Sequence, residues 1–171
     1  MKVLETERLT LRWLSIDDAD FILELVNDPA WLKYIGDKGV RSLEDARNYI
    51  LKGPIDMYAR HGFGLYLAEL KDGTVPIGVC GLTTREPLRE VEIAFAFLPR
   101  FWAKGYAYES ASAVMAYAKD VLVKDRIVAI ATPDNHRSAK LLEKLGLRFE
   151  RMIKLSSDAQ ELKLFVAHDM P

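Results

Sequence analysis

Hydrophobic and polar positions follow two periods along this chain. From Leu9 to Leu14 they alternate, the mark of a strand with one face buried. Ser15 and Asp18 then form a capping-box-like start, with Asp in place of Glu. The period lengthens to that of a helix through Phe21, Ile22, Leu25 and Val26 and stops at Asn27-Asp28-Pro29. Ser42 opens a second helix through Ala46, Tyr49 and Ile50, ended by Gly53-Pro54; the stretch between, with Trp31, Tyr34 and Gly36, reads as loop. Phe63 to Leu70 and Pro76 to Thr83 read as strands joined by a turn at Lys71-Asp72-Gly73, and Glu90 to Leu98 as a fourth.

A long helix is predicted over residues 104–121, with Ala107, Ala111, Val114 and Ala118 as its inner stripe. Arg126 to Thr132 is a β-rich run stopped by Pro133. A helix from Asn135 to Leu145 ends at Gly146, and two strands follow around Phe149–Leu155 and Leu162–His168. With no repeat, linker or low-complexity tract, residues 1–171 read as one α/β (α+β) domain with a mixed, mostly antiparallel sheet.

Composition changes this picture little. The 171 residues suffice for a proper core, half are hydrophobic, and the formal net charge is −1. No global field favours nucleic acid, and the basic residues are scattered. No stretch reaches the length of a membrane span and the N-terminus lacks an apolar signal core. The lone Cys80 sits in an apolar strand pattern, reads as a small buried hydrophobe and fits a reducing cytosol. His61, His136 and His168 show no metal-ligand spacing, so no metal is expected.

The chemistry concentrates in Phe97-Leu98-Pro99-Arg100-Phe101-Trp102-Ala103-Lys104-Gly105-Tyr106-Ala107. A strand-like run gives way to a short loop carrying Arg100, Lys104 and Gly105, and a helix follows. Such a loop points backbone N–H groups at one spot beside the positive end of a helix dipole, which suits a pyrophosphate. Gly105 has no Cβ and permits close approach. The dinucleotide fingerprint and the nucleoside-triphosphatase loop are both absent.

This loop, together with Asn135-His136-Arg137-Ser138-Ala139-Lys140 running on to Gly146-Leu147, resembles the GNAT superfamily of acetyl-CoA-dependent N-acetyltransferases. The opening Glu5-Thr6-Glu7-Arg8-Leu9-Thr10-Leu11-Arg12 is similar to the first strand of the branch containing ribosomal-protein N-terminal acetyltransferases. The resemblance implies about seven strands flanked by about four helices, with the sheet splayed to form a cofactor cleft. It implies acetyl-CoA as cosubstrate, held by Phe97, Leu98, Trp102, Ala103, Lys104, Gly105, Tyr106, Ala107, Asn135 and Lys140. Phe97 and Leu98 would offer backbone groups to the pantetheine as an added strand does. Trp102 occupies a slot that is usually Arg or Gln but often Trp in this branch. Leu142 stands where many members carry the Tyr that protonates the departing thiolate.

The reaction implied is attack of an amine on a thioester, which calls for a base, a donor to the carbonyl oxygen and a proton for the thiolate. Glu92 is the candidate base. Alternation sets Glu90, Glu92, Ala94 and Ala96 on one face of their strand, where two alanines leave room for a substrate; the competing reading is a solvated sheet face. The resemblance to the ribosomal-protein branch, where a Ser at this spacing donates to the thiolate, makes Ser138, three residues after Asn135, the candidate donor in place of the missing Tyr, against the alternative of a local backbone bond. Asn135 has two roles open to it, capping the helix and holding the pantetheine amide. Glu109 reads as a brace or a favourable charge near the helix start. Arg100, Lys104 and Lys140 are cations near the anion loop.

Trp31, Tyr34 and the loop of residues 36–40 are expected to shape the acceptor side, as binding groups or as aromatic core. The acceptor is a protein N-terminus or a small-molecule amine. A cytoplasmic monomer or homodimer without nucleic-acid or membrane partners is expected. A non-catalytic acyl-CoA-binding module is the second reading, and an interaction protein of degenerate fold the third.

Overall fold

The computed structural model describes residues 1–167. Eight strands form one sheet in the order β1-β2-β3-β4-β5-β6-β8-β7. They are β1 Lys2–Glu5, β2 Leu9–Trp13, β3 Leu65–Leu70, β4 Val75–Thr83, β5 Glu92–Phe97, β6 Ile127–Ala131, β7 Arg148–Ile153 and β8 Leu162–Ala167. The strand predicted to reach His168 is described through Ala167; His168 lies outside the described residues. β1 is the strand that periodicity missed, because its four residues are too few to establish an alternation. Every pairing is antiparallel except β5 with β6.

The helices are α1 Ala19–Val26, α2 Pro29–Tyr34, α3 Leu43–Ile50, α4 Asp56–His61, α5 Tyr106–Asp120 and α6 His136–Lys144. The Ser15–Asp18 capping box is present and starts a 3-10 turn leading into α1. Two expectations are corrected. Asn27-Asp28-Pro29 ends α1 but also begins α2: the Asp28 carboxylate caps the Ala30 N–H, and Pro29 takes the first-turn position where its missing N–H costs nothing. Gly53-Pro54 does not end α3. The chain widens into a π-helical turn at Leu51–Ile55, which accommodates Pro54, and continues as α4 to Gly62.

Strand alternation sorts the core into two layers. Tyr66, Ala68 and Cys80 pack with Ala111, Val114 and Ala118 of α5 on one face of the sheet. Leu67, Val79 and Leu98 pack with α1, Trp31 and α3 on the other. The predicted stripe of α5 is buried at Ala111, Val114 and Ala118, with Ser110 beside it. Cys80 is fully buried, and burial pushes its thiol up to about 12, so it packs as a small apolar group.

The parallel pair β5–β6 sets the site. It is joined in register only at Glu92 and Val128, with Val128 N–H donating to the Val91 carbonyl at 2.9 Å. Beyond that point the two strands part, opening the sheet between the end of β5 and the start of α6.

Candidate active site

Glu92 stands at the fork where β5 leaves β6. β4 pairs with β5 so that Thr83 lies opposite Glu92. Arg85, two residues past Thr83, folds its guanidinium back onto the carboxylate. Nε donates to Oε2 at 2.8 Å and Nη2 to Oε1 at 3.1 Å, a bidentate pair. The Glu92 side chain is 3% exposed and that of Arg85 40%. Burial raises the Glu92 pKa, and the Arg85 charge and hydrogen bonds offset part of that rise; the balance leaves it above the ordinary carboxylate value. The face assignment holds, with Ile93, Phe95 and Phe97 toward α5 and Ala96 toward α1. The solvated-face alternative does not: Glu92 is buried. Glu90 lies outside the strand and pairs with Arg126.

The loop after β5 is locked by its own groups. Leu98 N–H donates to the Ile77 carbonyl at 3.0 Å, and the Leu98 carbonyl accepts from Phe101 N–H at 2.9 Å. The Leu98 backbone is thus turned into the sheet and the 3-10 turn Pro99–Phe101, and its side chain is buried away from the cleft. Trp102 Nε1 donates to the Phe97 carbonyl at 2.7 Å. Since Leu98 faces β4, alternation turns the N–H and C=O groups of Phe95 and the N–H of Phe97 toward the opening, the Phe97 carbonyl being held by Trp102. Phe95 is a lining residue that sequence reasoning passed over, because its side chain reads as core and only its backbone matters here.

Ala103 at φ 61° and Gly105 at φ 84° carry the chain through two left-handed turns into α5. Gly105 sits at the N-cap, with no side chain capping the helix, so the first-turn amides face outward as donors. The turn between β1 and β2 braces this start. Glu109 accepts from Thr6 Oγ1 at 2.6 Å, from Arg8 N–H at 2.8 Å and from Arg8 Nε at 2.8 Å, while Arg8 Nη1 donates to the Lys104 carbonyl at 3.0 Å. Partial burial alone would raise the Glu109 pKa; the bonds from Thr6 and Arg8 reverse that and hold it below 4.5.

Opposite the loop, Asn135 Oδ1 caps α6 by accepting from Ser138 N–H at 3.2 Å. Asn135, Ser138 and Lys140 all line the cleft, as do Trp102, Ala103, Gly105, Tyr106 and Ala107. The Arg137 guanidinium lies 4.6 Å from the Trp102 ring centroid and ties α6 to the loop across the opening. Leu142 is buried in the core below. Lys144 lines the same cleft and gathers with Lys140, Arg148 and the acid Glu143 around a smaller depression beside α6. Lys144 and Arg148 were missed because their spacing is that of an ordinary solvated helix end. Two predicted cations go elsewhere. Arg100 pairs with Glu24 of α1 at 2.6 Å, and Lys104 sits near the Phe101 ring outside the cleft lining.

The whole cleft measures about 890 Å³ and continues past Glu92 to Trp31, Tyr34, Lys38 and Tyr49. Trp31 and Tyr34 are brought there by α2. Among the described residues, the buried Trp31 Nε1 and Thr132 Oγ1 of this cleft have no hydrogen-bond partner. No group of three His, Cys, Asp or Glu among the described residues is placed to hold a metal. No helix among them is long and apolar enough to cross a membrane.

Comparison with known proteins matches this architecture. The chain is 29% identical over 154 residues to the uncharacterized N-acetyltransferase YoaA of Bacillus subtilis, covering 89% of this chain and 86% of that one. Among solved structures, an acetyltransferase (GNAT family) from Bacillus anthracis superposes with a TM-score of 0.80 at 24% identity over the full length of both chains. The ribosomal L7/L12 alpha-N-protein acetyltransferase RimL, solved in complex with coenzyme A, superposes with a TM-score of 0.83 at 20% identity, again over both full lengths. These structural likenesses establish a shared fold. The acetyltransferase (GNAT) domain model matches residues 8–148, and on that match the chain belongs to the GNAT acetyltransferase family.

Proposed function

We propose that this protein transfers an acetyl group from acetyl-CoA to a primary amine within a ternary complex. The observation that carries the reading is Glu92: a buried carboxylate at the fork of β5 and β6, on the floor of a cleft entered beside a helix start with outward amides. A pyrophosphate fits the amides of residues 103–107, where Gly105 keeps the backbone accessible. The backbones of Phe95 and Phe97 suit an extended amide-bearing arm, and Asn135 approaches from α6. Lys140, Lys144 and Arg148 suit a further phosphate. Acetyl-CoA supplies the activated acetyl group when bound.

The chain's own residues then divide the work. Ionised Glu92 takes the amine proton, directly or through one water. Burial of the Glu92 side chain, 3% exposed, keeps most bulk water from its carboxylate. Ser138, at the first turn of α6, donates to the departing thiolate, the role that Leu142 cannot fill. Release of thiol from acetyl-CoA in the presence of amines tests the reading, with the acetylated product identified by mass spectrometry. Glu92→Gln is expected to keep CoA affinity and lower kcat by about 10²–10⁴-fold. The loss should shrink at high pH, where free amine is already present. Turnover by Glu92→Gln at the wild-type rate would remove Glu92 from the mechanism.

A further inference from the structure

The acceptor end of the cleft is unbalanced in its hydrogen-bonding groups. Arg85 spends Nε and Nη2 on Glu92, so Nη1 is outside that pair, and 40% of the side chain remains exposed beside a carboxylate that is 3% exposed. Lys38 lines the same end. Lys38 is an exposed residue whose ammonium sits near Arg85; partial desolvation and that like charge both lower its pKa. Trp31 is 6% exposed, and its Nε1, a donor only, has no partner. A guanidinium edge and a nearby ammonium therefore line the end of the cleft beside the paired Glu92, with the buried indole N–H of Trp31 in its wall. Two further acids line the cleft: Asp28, one of whose oxygens caps α2, and Asp134, whose charge acts on Lys33 of α2 rather than on Arg85 or Lys38.

Resting on the acetyltransferase reading above, we propose that the acceptor is a small amine carrying its own carboxylate a few bonds away, an amino-acid-class substrate. Its ammonium meets Glu92 and its carboxylate meets Arg85 and Lys38, with Trp31 in the wall behind. A planar carboxylate matches the guanidinium edge. It also competes with Glu92 for Arg85, which loosens the ion pair and releases Glu92 to act as base. The balance of the step is simple. The ammonium gives one proton to Glu92, the freed amine nitrogen bonds to the acetyl carbon as the C–S bond of the thioester breaks, the second N–H proton reaches the sulfur through the Ser138 hydroxyl so that it leaves as thiol, and Glu92 returns its proton to solvent. A polyamine would set a second cation against Arg85 and Lys38. A neutral peptide N-terminus would leave both unmatched.

The test uses the full chain and acetyl-CoA with pairs of acceptors: L-amino acids, each beside its own carboxamide, with spermidine and a neutral tripeptide alongside. Thiol release gives kcat and KM for each. An α-amine without a free carboxylate has a pKa near 8, so at neutral pH chemistry alone favours the amides. The proposal expects the reverse, with kcat/KM for the preferred amino acid about 10-fold or more above its amide. Lys38→Gln should shrink that ratio through KM, and Lys38→Arg should restore it. Preference for amides, spermidine or the tripeptide overturns the inference, as does turnover of no amino acid at all. Calorimetry with acetyl-CoA separates the two levels. Binding together with acetylation of non-acidic amines rejects the amino-acid class alone; failure to bind acetyl-CoA rejects the acetyltransferase reading itself.

Discussion

At the scale of single residues, the Arg85–Glu92 pair decides what the site can do. A carboxylate this buried and unpaired would hold its proton through neutral pH; a fully neutralised one would be a poor base. The guanidinium sets it between those limits, with its pKa raised above the ordinary 4.5. A base must be ionised to accept a proton. With Glu92 as the proposed base, activity is expected to fall as pH drops through the Glu92 value, with the acid limb of kcat/KM above the ordinary carboxylate position. A pH–rate profile checks this. Removing the cation with Arg85→Gln should move the limb to higher pH, and Glu92→Gln should abolish it. A limb at the ordinary carboxylate position would contradict the burial argument. Glu92 was readable as a candidate from alternation and from two neighbouring alanines. Arg85 was not, because nothing in Thr83-Thr84-Arg85 says that the chain turns back on itself there.

At the scale of elements, the loop and the first turn of α5 act as one unit. Gly105 enters the helix at φ 84°, a conformation that β-branched residues avoid, and a Cβ there would meet Arg8 Nη2 at 3.2 Å. Gly105→Val should weaken CoA binding by about tenfold or more, roughly 1.4 kcal/mol, through displaced amides. Calorimetry reads the result, and unchanged affinity would reject the placement of the pyrophosphate. Glu109 gives the unit its brace. Its folded pKa lies below the unfolded one, so its contribution is present above 4.5 and fades as pH falls through the folded value. Glu109→Gln should lower Tm at neutral pH by about 2–4 °C, the size of about 1 kcal/mol of lost hydrogen bonding in a chain of this length. Thermal melts at neutral and acidic pH should show that difference closing on the acid side. The brace reading of Glu109 was legible from its position one turn into a helix. Its partners Thr6 and Arg8, about a hundred positions away in sequence, were not.

At the scale of the whole molecule, the cleft exists because one sheet is both continuous and split. β5 holds β4 along its full length and β6 at a single register pair. The backbone groups of Phe95 and Phe97 on the open side are those a bound arm would engage, whereas Leu98 N–H is already bonded to Ile77. Hydrogen exchange should therefore show Phe95 and Phe97 amides gaining protection on CoA binding and Leu98 protected with or without it. Protection gained at Leu98 instead would return the contact to where the motif alone had put it. The sequence by itself determined most of the strands, the long helix and the glycine at its entry, and it offered capping as one of two roles for Asn135. Each of these is a local matter of period, propensity or a missing Cβ. Only the tertiary structure decided the splay of β5 from β6, the burial of Glu92, its pairing with Arg85, and the donors that Lys38 and Trp31 bring to the acceptor end. Those depend on which distant segments meet. Burial and pairing energies belong to the meeting, so no window of sequence contains them.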